Sequence, residues 1–174
     1  MAGASKLLTI LLLCGSASAF EVYTTDTGET FRWQKSVVTY SFGKTIRKKQ
    51  RAAIVSALAE WSNVIRIEFS ETATDADICF AYSDNKNNRL PSLVLADTRG
   101  HREGTTITHC DIRFNKFNPL TRKRLRVVAL HEIGHALGIA HSSVETAVMF
   151  KTLSSTEVLT PDDVLAGEFL YKYW

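Results

Sequence analysis

Long apolar runs are missing from this chain of 174 residues. The longest, Leu7 to Cys14, covers eight positions, whereas a helix that crosses a bilayer needs about 20; no transmembrane segment is expected. Proline is scarce, at three residues, which excludes collagen-like and proline-rich architectures. No internal repeat and no low-complexity linker is present, so residues 20–174 read as one domain. N-x-S/T acceptors are absent, leaving N-glycosylation without a site. Neither sign of charge dominates: 21 Lys and Arg stand against 18 Asp and Glu, a net charge of +3 that calls for no nucleic-acid or anionic-membrane partner. The densest basic run, Arg122, Lys123, Arg124 and Arg126, reads as a solvated helix face, with a nucleic-acid or glycan site the rarer alternative.

What is present begins with a leader. Lys6 is the only charge among the first nineteen residues; Leu7 to Cys14 follows, then small residues end in Ala17-Ser18-Ala19. That order describes a secretory signal peptide over residues 1–19, cleaved after Ala19 to leave Phe20 first, and hence an extracellular protein. A lipidated Cys14 is the alternative, but Leu13 is not the small residue that such sites carry. Cleavage removes one lysine and no acid, so the net charge falls from +3 to +2, and it leaves Cys79 and Cys110 as the two cysteines. An oxidising compartment permits a disulfide between them.

Apolar periodicity outlines an α+β plan. Val37 to Phe42, Ile65 to Ser70, Ala76 to Tyr82, Ser92 to Asp97 and Thr106 to Phe114 read as five strands. A helix is expected over Thr45 to Val64 with Thr45 as its cap, another opening at Asn118-Pro119 and ending near Gly138, and a closing one from Pro161. Cys79 alternates away from Ile78 and Phe80, while Cys110 shares a face with Ile112 and Phe114. If both apolar sets face one core, the thiols lie on opposite sides of the sheet, which favours two free cysteines.

The segment that carries chemistry is HEIGHALGIAHS, His131 to Ser142. Residues four apart share a helix face, so His131 and His135 can present two imidazoles to one metal. Glu132 sits beside them as a general base, Gly138 lets the chain turn back, and His141 arrives as third ligand. Three protein ligands with a fourth position open is the catalytic zinc arrangement.

The extended motif H-E-x-x-H-x-x-G-x-x-H, with Met149 of Ala147-Val148-Met149-Phe150 as a methionine turn, resembles the metzincin clan. Ser142 after the third ligand, together with RWQKSVVTYSF, EWSNV, ADICF, SLVLAD and LTPDDVLAGEFLY in order, resembles a matrixin, the matrix-metalloproteinase catalytic domain, over about residues 30–172. The resemblance implies a twisted, mixed five-stranded sheet with three helices. It also implies a monomeric zinc endopeptidase with a protein or peptide substrate, cut before a hydrophobic residue. SLVLAD matches the family's substrate-binding edge strand, so Leu95 and Ala96 would offer backbone bonds to substrate. Asp162-Asp163 matches an acidic pair in which the first carboxylate receives the new N-terminus, here Phe20, and the second is buried against the Met-turn. A catalytically silent module with the same fold is the rival, and retention of Glu132 argues against it.

Three departures bound the resemblance. Only about a dozen residues separate Ala19 from Trp33, too few for a cysteine-switch propeptide; Asp26 is a candidate zinc cap, a plain N-terminal arm the simpler reading. His109-Cys110-Asp111 resembles a His-x-Asp element, but Asp97 replaces a further histidine ligand and Ser83 to Ser92 holds no counterpart of the upstream pair. One catalytic zinc is therefore expected, with calcium through Asp97 or Asp111 the weaker possibility. Lys151-Thr152-Leu153 replaces the Pro-x-Tyr stretch after the Met-turn, altering the pocket wall for the residue after the cut.

Overall fold

The computed structural model describes residues 19–83, 90–91, 93–153 and 155–172. The leader through Ser18, the polar stretch 84–89 and Ser92 lie outside the described residues. Eight elements follow one another: β1 (Val37–Phe42), α1 (Lys48–Ser62), β2 (Glu68–Glu71), β3 (Ile78–Ser83), β4 (Ala96–Glu103), β5 (Thr106–Asn115), α2 (Arg122–Ala136) and α3 (Pro161–Tyr171). The sheet order is β2-β1-β3-β5-β4, parallel throughout except for β4, which runs antiparallel to β5. This is the mixed five-stranded sheet with three helices that the motifs implied. Among the described residues no helix is long and apolar enough to cross a membrane.

One face of the sheet meets α1 and α2 in a single core built around Trp33, Trp61, Phe80, Phe114, Ile133 and Tyr171. Helix α1 buries Ala53, Ile54, Ala57, Leu58 and Trp61, one 3.6-period stripe. The C-terminal half of α2 is pinned by three buried side chains. Trp61 Nε1 donates to the Leu130 carbonyl (2.9 Å), Trp33 Nε1 to Ala136 (2.9 Å) and Tyr171 Oη to Leu137 (2.7 Å). The last two satisfy carbonyls that a helix end leaves without partners. Burial raises the Tyr171 phenol, keeping it a neutral donor.

Four elements start three or four residues later than the sequence suggests, each for a local reason. Thr45 does not cap α1; Ile46 turns back to Gly43, Thr45 Oγ1 accepts from Tyr82 N (2.9 Å), and the helix starts after Arg47, whose N–H donates to the Gln50 side chain. Pro119 does not open α2; Thr121 is the cap, its hydroxyl accepting from Arg124 N at 3.3 Å. Strand β2 starts at Glu68, where pairing with β1 begins, rather than at Ile65. The largest shift is β4, expected over Ser92 to Asp97 and found at Ala96–Glu103. Val94 N bonds Pro91 O, and the Asn115 amide holds the carbonyls of Pro91 (3.1 Å) and Val94 (2.7 Å), which keeps that apolar stretch out of the ladder. The polar residues after it pair instead, as suits an edge strand that faces solvent. The β4–β5 turn is Gly104-Thr105, with Gly104 at φ 56°, the geometry of a two-residue turn whose first central residue is left-handed.

The cysteines fall as side-chain alternation predicts. Ile78 pairs with Cys110 and Cys79 with Asp111, so the thiols point to opposite faces, and both are free. Burial pushes the Cys110 thiol up to about 12. The basic run at the start of α2 is in the main a solvated face, with Arg126 reaching Glu60 and Lys123 reaching Glu157.

Candidate metal centre and cleft

Two turns of α2 carry the first part of the site. His131 Nδ1 lies 2.7 Å from the Val148 carbonyl and His135 Nδ1 2.8 Å from the Ile139 carbonyl. A carbonyl only accepts, so each Nδ1 carries the proton and each Nε2 keeps its lone pair. Those two Nε2 atoms stand 3.0 Å apart, close to the roughly 3.3 Å edge of a tetrahedron with zinc–nitrogen bonds of about 2.0–2.1 Å. Burial lowers His131 and drives His135 down to about 3, so both rings are neutral at physiological pH. Exposed His141 is lowered by partial burial as well.

His141 reaches the pair because the chain reverses at Gly138. That residue has φ 97°, and its own N–H closes on the His135 carbonyl at 3.0 Å. A Cβ there would lie 2.2 Å from the Phe31 carbonyl oxygen, so both backbone angle and space require glycine. The outcome is that ring nitrogens of His131, His135 and His141 lie within 4.8 Å of one another. Beneath them sits Met149, 1% exposed, its sulfur 2.3 Å from where a Cβ on Gly134 would stand. Gly134, between the two helical histidines, thus lets the methionine press against the backbone of α2.

Asp163 holds the methionine turn. Fully buried, it accepts from Val148 N (3.0 Å), Met149 N (2.9 Å), Thr160 N (2.8 Å) and Thr160 Oγ1 (2.7 Å). Asp162 accepts instead from Ser142 Oγ at 2.7 Å. Asp163 thus lies buried against the methionine turn, whereas the partner found for Asp162 is Ser142 and not the Phe20 ammonium that the resemblance implied.

Glu132 faces the cleft from the same helix. Burial pushes its carboxyl up to about 7, and a 2.6 Å hydrogen bond from Thr98 Oγ1 pulls against that rise. Thr98 escaped the sequence reading; its signal was its position two residues after Ala96, on the same side of an edge strand. A cleft of about 680 Å³ runs between β4 and the loop after the methionine turn, lined on one side by Leu93 to Thr98 and on the other by His131, Glu132 and Lys151 to Leu153. A smaller hollow of about 240 Å³ adjoins it through Tyr23, Thr98 and His135, walled by Phe31 and Arg102. Of the N-terminal arm it is Tyr23, not Asp26, that enters the cleft: its hydroxyl lies 3.3 Å from His135 Nδ1, while Asp26 sits exposed in a turn.

Strand β4 is the sheet edge, so its outer side is open. The Leu95 carbonyl is already taken by Asn115 N at 2.7 Å. Backbone groups alternate sides along an antiparallel ladder, which turns those of Ala96, and next of Thr98, outward toward the cleft. The carbonyl of Leu95 is therefore not the one available to a substrate.

A helical pair of imidazoles, a glycine reversal, a third imidazole and a buried methionine turn now stand in one place, and comparison with known proteins agrees with them. The family model described as Matrixin matches residues 32–172. The chain belongs to the matrixin family. Similar proteins include Metalloendoproteinase 1-MMP of Arabidopsis thaliana, 30% identical, with 80% of this chain and 44% of that protein covered. Stromelysin-3 of Xenopus laevis is 32% identical, with coverage of 80% and 32%. Metalloendoproteinase 2-MMP of Arabidopsis thaliana is 30% identical, with 88% and 46%. The chain thus spans less than half the length of the relatives it matches. The matrixin donor set fits zinc: three neutral imidazoles, two of them oriented by backbone carbonyls.

Proposed function

We propose that this matrixin is a secreted zinc endopeptidase, with His131, His135 and His141 as metal ligands and Glu132 as general base. The observation that carries the reading is the convergence of three ring nitrogens within 4.8 Å, beside a buried carboxyl in an open cleft. A zinc ion held there lowers the pKa of a coordinated water toward about 7 and polarises a peptide carbonyl. The chain's own residues do the remainder. An extended peptide adds to the free edge of β4, bonding the outward backbone groups of Ala96, and so lies across the cleft at a fixed height. The carboxylate of Glu132 accepts the proton of the attacking water and returns it to the leaving amine nitrogen. Thr98 Oγ1 keeps that carboxyl pointed and restrains its rise in pKa. Val94, Leu95, Val128 and Leu153 line the cleft with apolar surface, which suits cleavage before a hydrophobic residue.

Residues 1–19 are the leader of this reading and residues 20–174 its catalytic domain, acting as a monomer. Cleavage after Ala19 frees the Phe20 ammonium beside Asp162. The Ser142 hydroxyl already stands 2.7 Å from the Asp162 carboxylate and 3.5 Å from the Ala19 carbonyl, and the Phe20 ring packs on Phe169 at 5.7 Å. Calcium through Asp97 is left out, because that carboxylate is bound by Arg113 and Arg99.

The test is cleavage of a peptide library by the mature chain, with and without a chelator. Metal-dependent cuts before apolar residues support the reading. Cleavage that survives metal removal, or none with zinc restored, contradicts it.

A further inference from the structure

The chain has five histidines. Three form the cleft triad; the other two, His101 and His109, pair directly across the β4–β5 ladder with ring centroids 5.8 Å apart. Cys110, next to His109, is buried in the core, so His109 points to the opposite, outer face of the sheet. Cys79 and Asp111, cross-strand partners on β3 and β5, point the same way. As a result the Cys79 sulfur, a His109 ring nitrogen and an Asp111 oxygen all lie within 4.8 Å of one another.

Their surroundings prepare these donors. His109 Nδ1 lies 3.1 Å from the Ala76 carbonyl, which fixes the proton on Nδ1 and leaves Nε2 facing Asp111 Oδ1 at 3.5 Å. That is the device that orients His131 and His135. Ser41, the β1 partner of Cys79, holds its hydroxyl 3.5 Å from the sulfur, where it can donate to a thiolate. Arg99, opposite Asp111 on the ladder, leans to Asp97 instead, with Nε 3.4 Å from Oδ2. The other described thiol, Cys110, is on the far side of the sheet and cannot draw Cys79 into a disulfide.

We propose that Cys79, His109 and Asp111 hold a second, structural zinc on the outer face of the sheet, with His101 as fourth ligand from the edge strand. Thiolate and imidazole together select a borderline-soft ion over calcium or magnesium, which take oxygen alone. Four protein ligands close a tetrahedral site and leave no position for chemistry. On binding, the Cys79 thiol loses its proton to solvent. The metal ties β3, β5 and β4 together, bracing the edge strand that carries Ala96 and Thr98 from the side opposite the cleft. This ligand set would stand in for the one whose loop members the sequence lacks, and it adds a second ion to the one expected from the sequence.

The experiment is zinc content and cobalt substitution of the mature chain and of the folded variants Cys79→Ser, His109→Ala and His135→Ala. The expected result is two zinc ions in the parent and one in each variant. The cobalt form should show a near-ultraviolet thiolate charge-transfer band that survives His135→Ala and is lost in Cys79→Ser. His101→Ala should weaken retention of the second ion against a chelator without touching the first. A single zinc in the parent, removed by His135→Ala and indifferent to Cys79 and His109, overturns the proposal and leaves the cleft reading intact. Two zincs that both survive His135→Ala would instead count against the cleft ligands.

Discussion

Replacing Gly138 by alanine should cost this protein more than its small size suggests. At φ 97°, an L-residue is strained, by about 1–3 kcal/mol. The added Cβ also meets the Phe31 carbonyl oxygen at 2.2 Å, a backbone atom that no rotamer change can move. Relief requires the N-terminal arm to lift, which breaks Tyr23 N to Gly138 O (2.9 Å) and Ala140 N to Glu21 O (2.9 Å), each worth about 1 kcal/mol. The sum is roughly 3–5 kcal/mol, and at about 2–4 °C per kcal/mol the melting temperature should fall by about 6–20 °C. Gly28 separates the two effects. Its φ is 85° but nothing lies within 4 Å of its would-be Cβ, so Gly28→Ala should show the backbone strain alone. Because His141 follows the same reversal, Gly138→Ala should also retain zinc less well during dialysis, whereas Gly28→Ala should not. Thermal melts of the two variants within about 2 °C of each other would refute the steric reasoning.

Asp163→Asn should be among the most damaging single changes. It leaves an amide facing backbone N–H donors from Val148, Met149 and Thr160 in a fully buried position, so a loss above about 3 kcal/mol is expected in denaturant titrations. Thr98→Val keeps the shape of the side chain but removes the bond that lowers the Glu132 pKa; the acid limb of kcat/KM against pH should move to higher pH. An unmoved limb would mean that Thr98 does not act on the base. Asp162→Asn in the mature chain should lower melting temperature and activity together, and an added residue before Phe20 should do the same; no change in either would remove the docked N-terminus from the account.

The metal site was legible because its spacing is its geometry. A spacing of four places two helical histidine rings on one face, and glycine at position 138 marks the reversal. The core strands were legible for a similar reason: Val38, Tyr40, Ile78, Phe80, Ile112 and Phe114 alternate against one core. Strand β4 was misplaced because Leu93 to Leu95 look like a strand, whereas the true edge, Thr98 to Glu103, is polar where it meets solvent. The helices start about three residues later than their apolar pattern suggests, because Thr45 belongs to a turn and Pro119 to the irregular stretch before Thr121. Thr98 lies one residue past the expected strand end, Asp97, while Tyr23 and the grouping around Cys79 depend on the path of the arm or on register between distant strands.

The central claim is that a zinc-activated water is deprotonated by Glu132. Its most direct measurement is kcat/KM of the mature chain and of Glu132→Ala on one peptide, with zinc content determined on the same samples. The account predicts that Glu132→Ala keeps its cleft zinc and its melting temperature to within a few degrees while activity falls by about 10²–10⁴-fold. A variant that cleaves as fast as the parent at equal zinc content would contradict it.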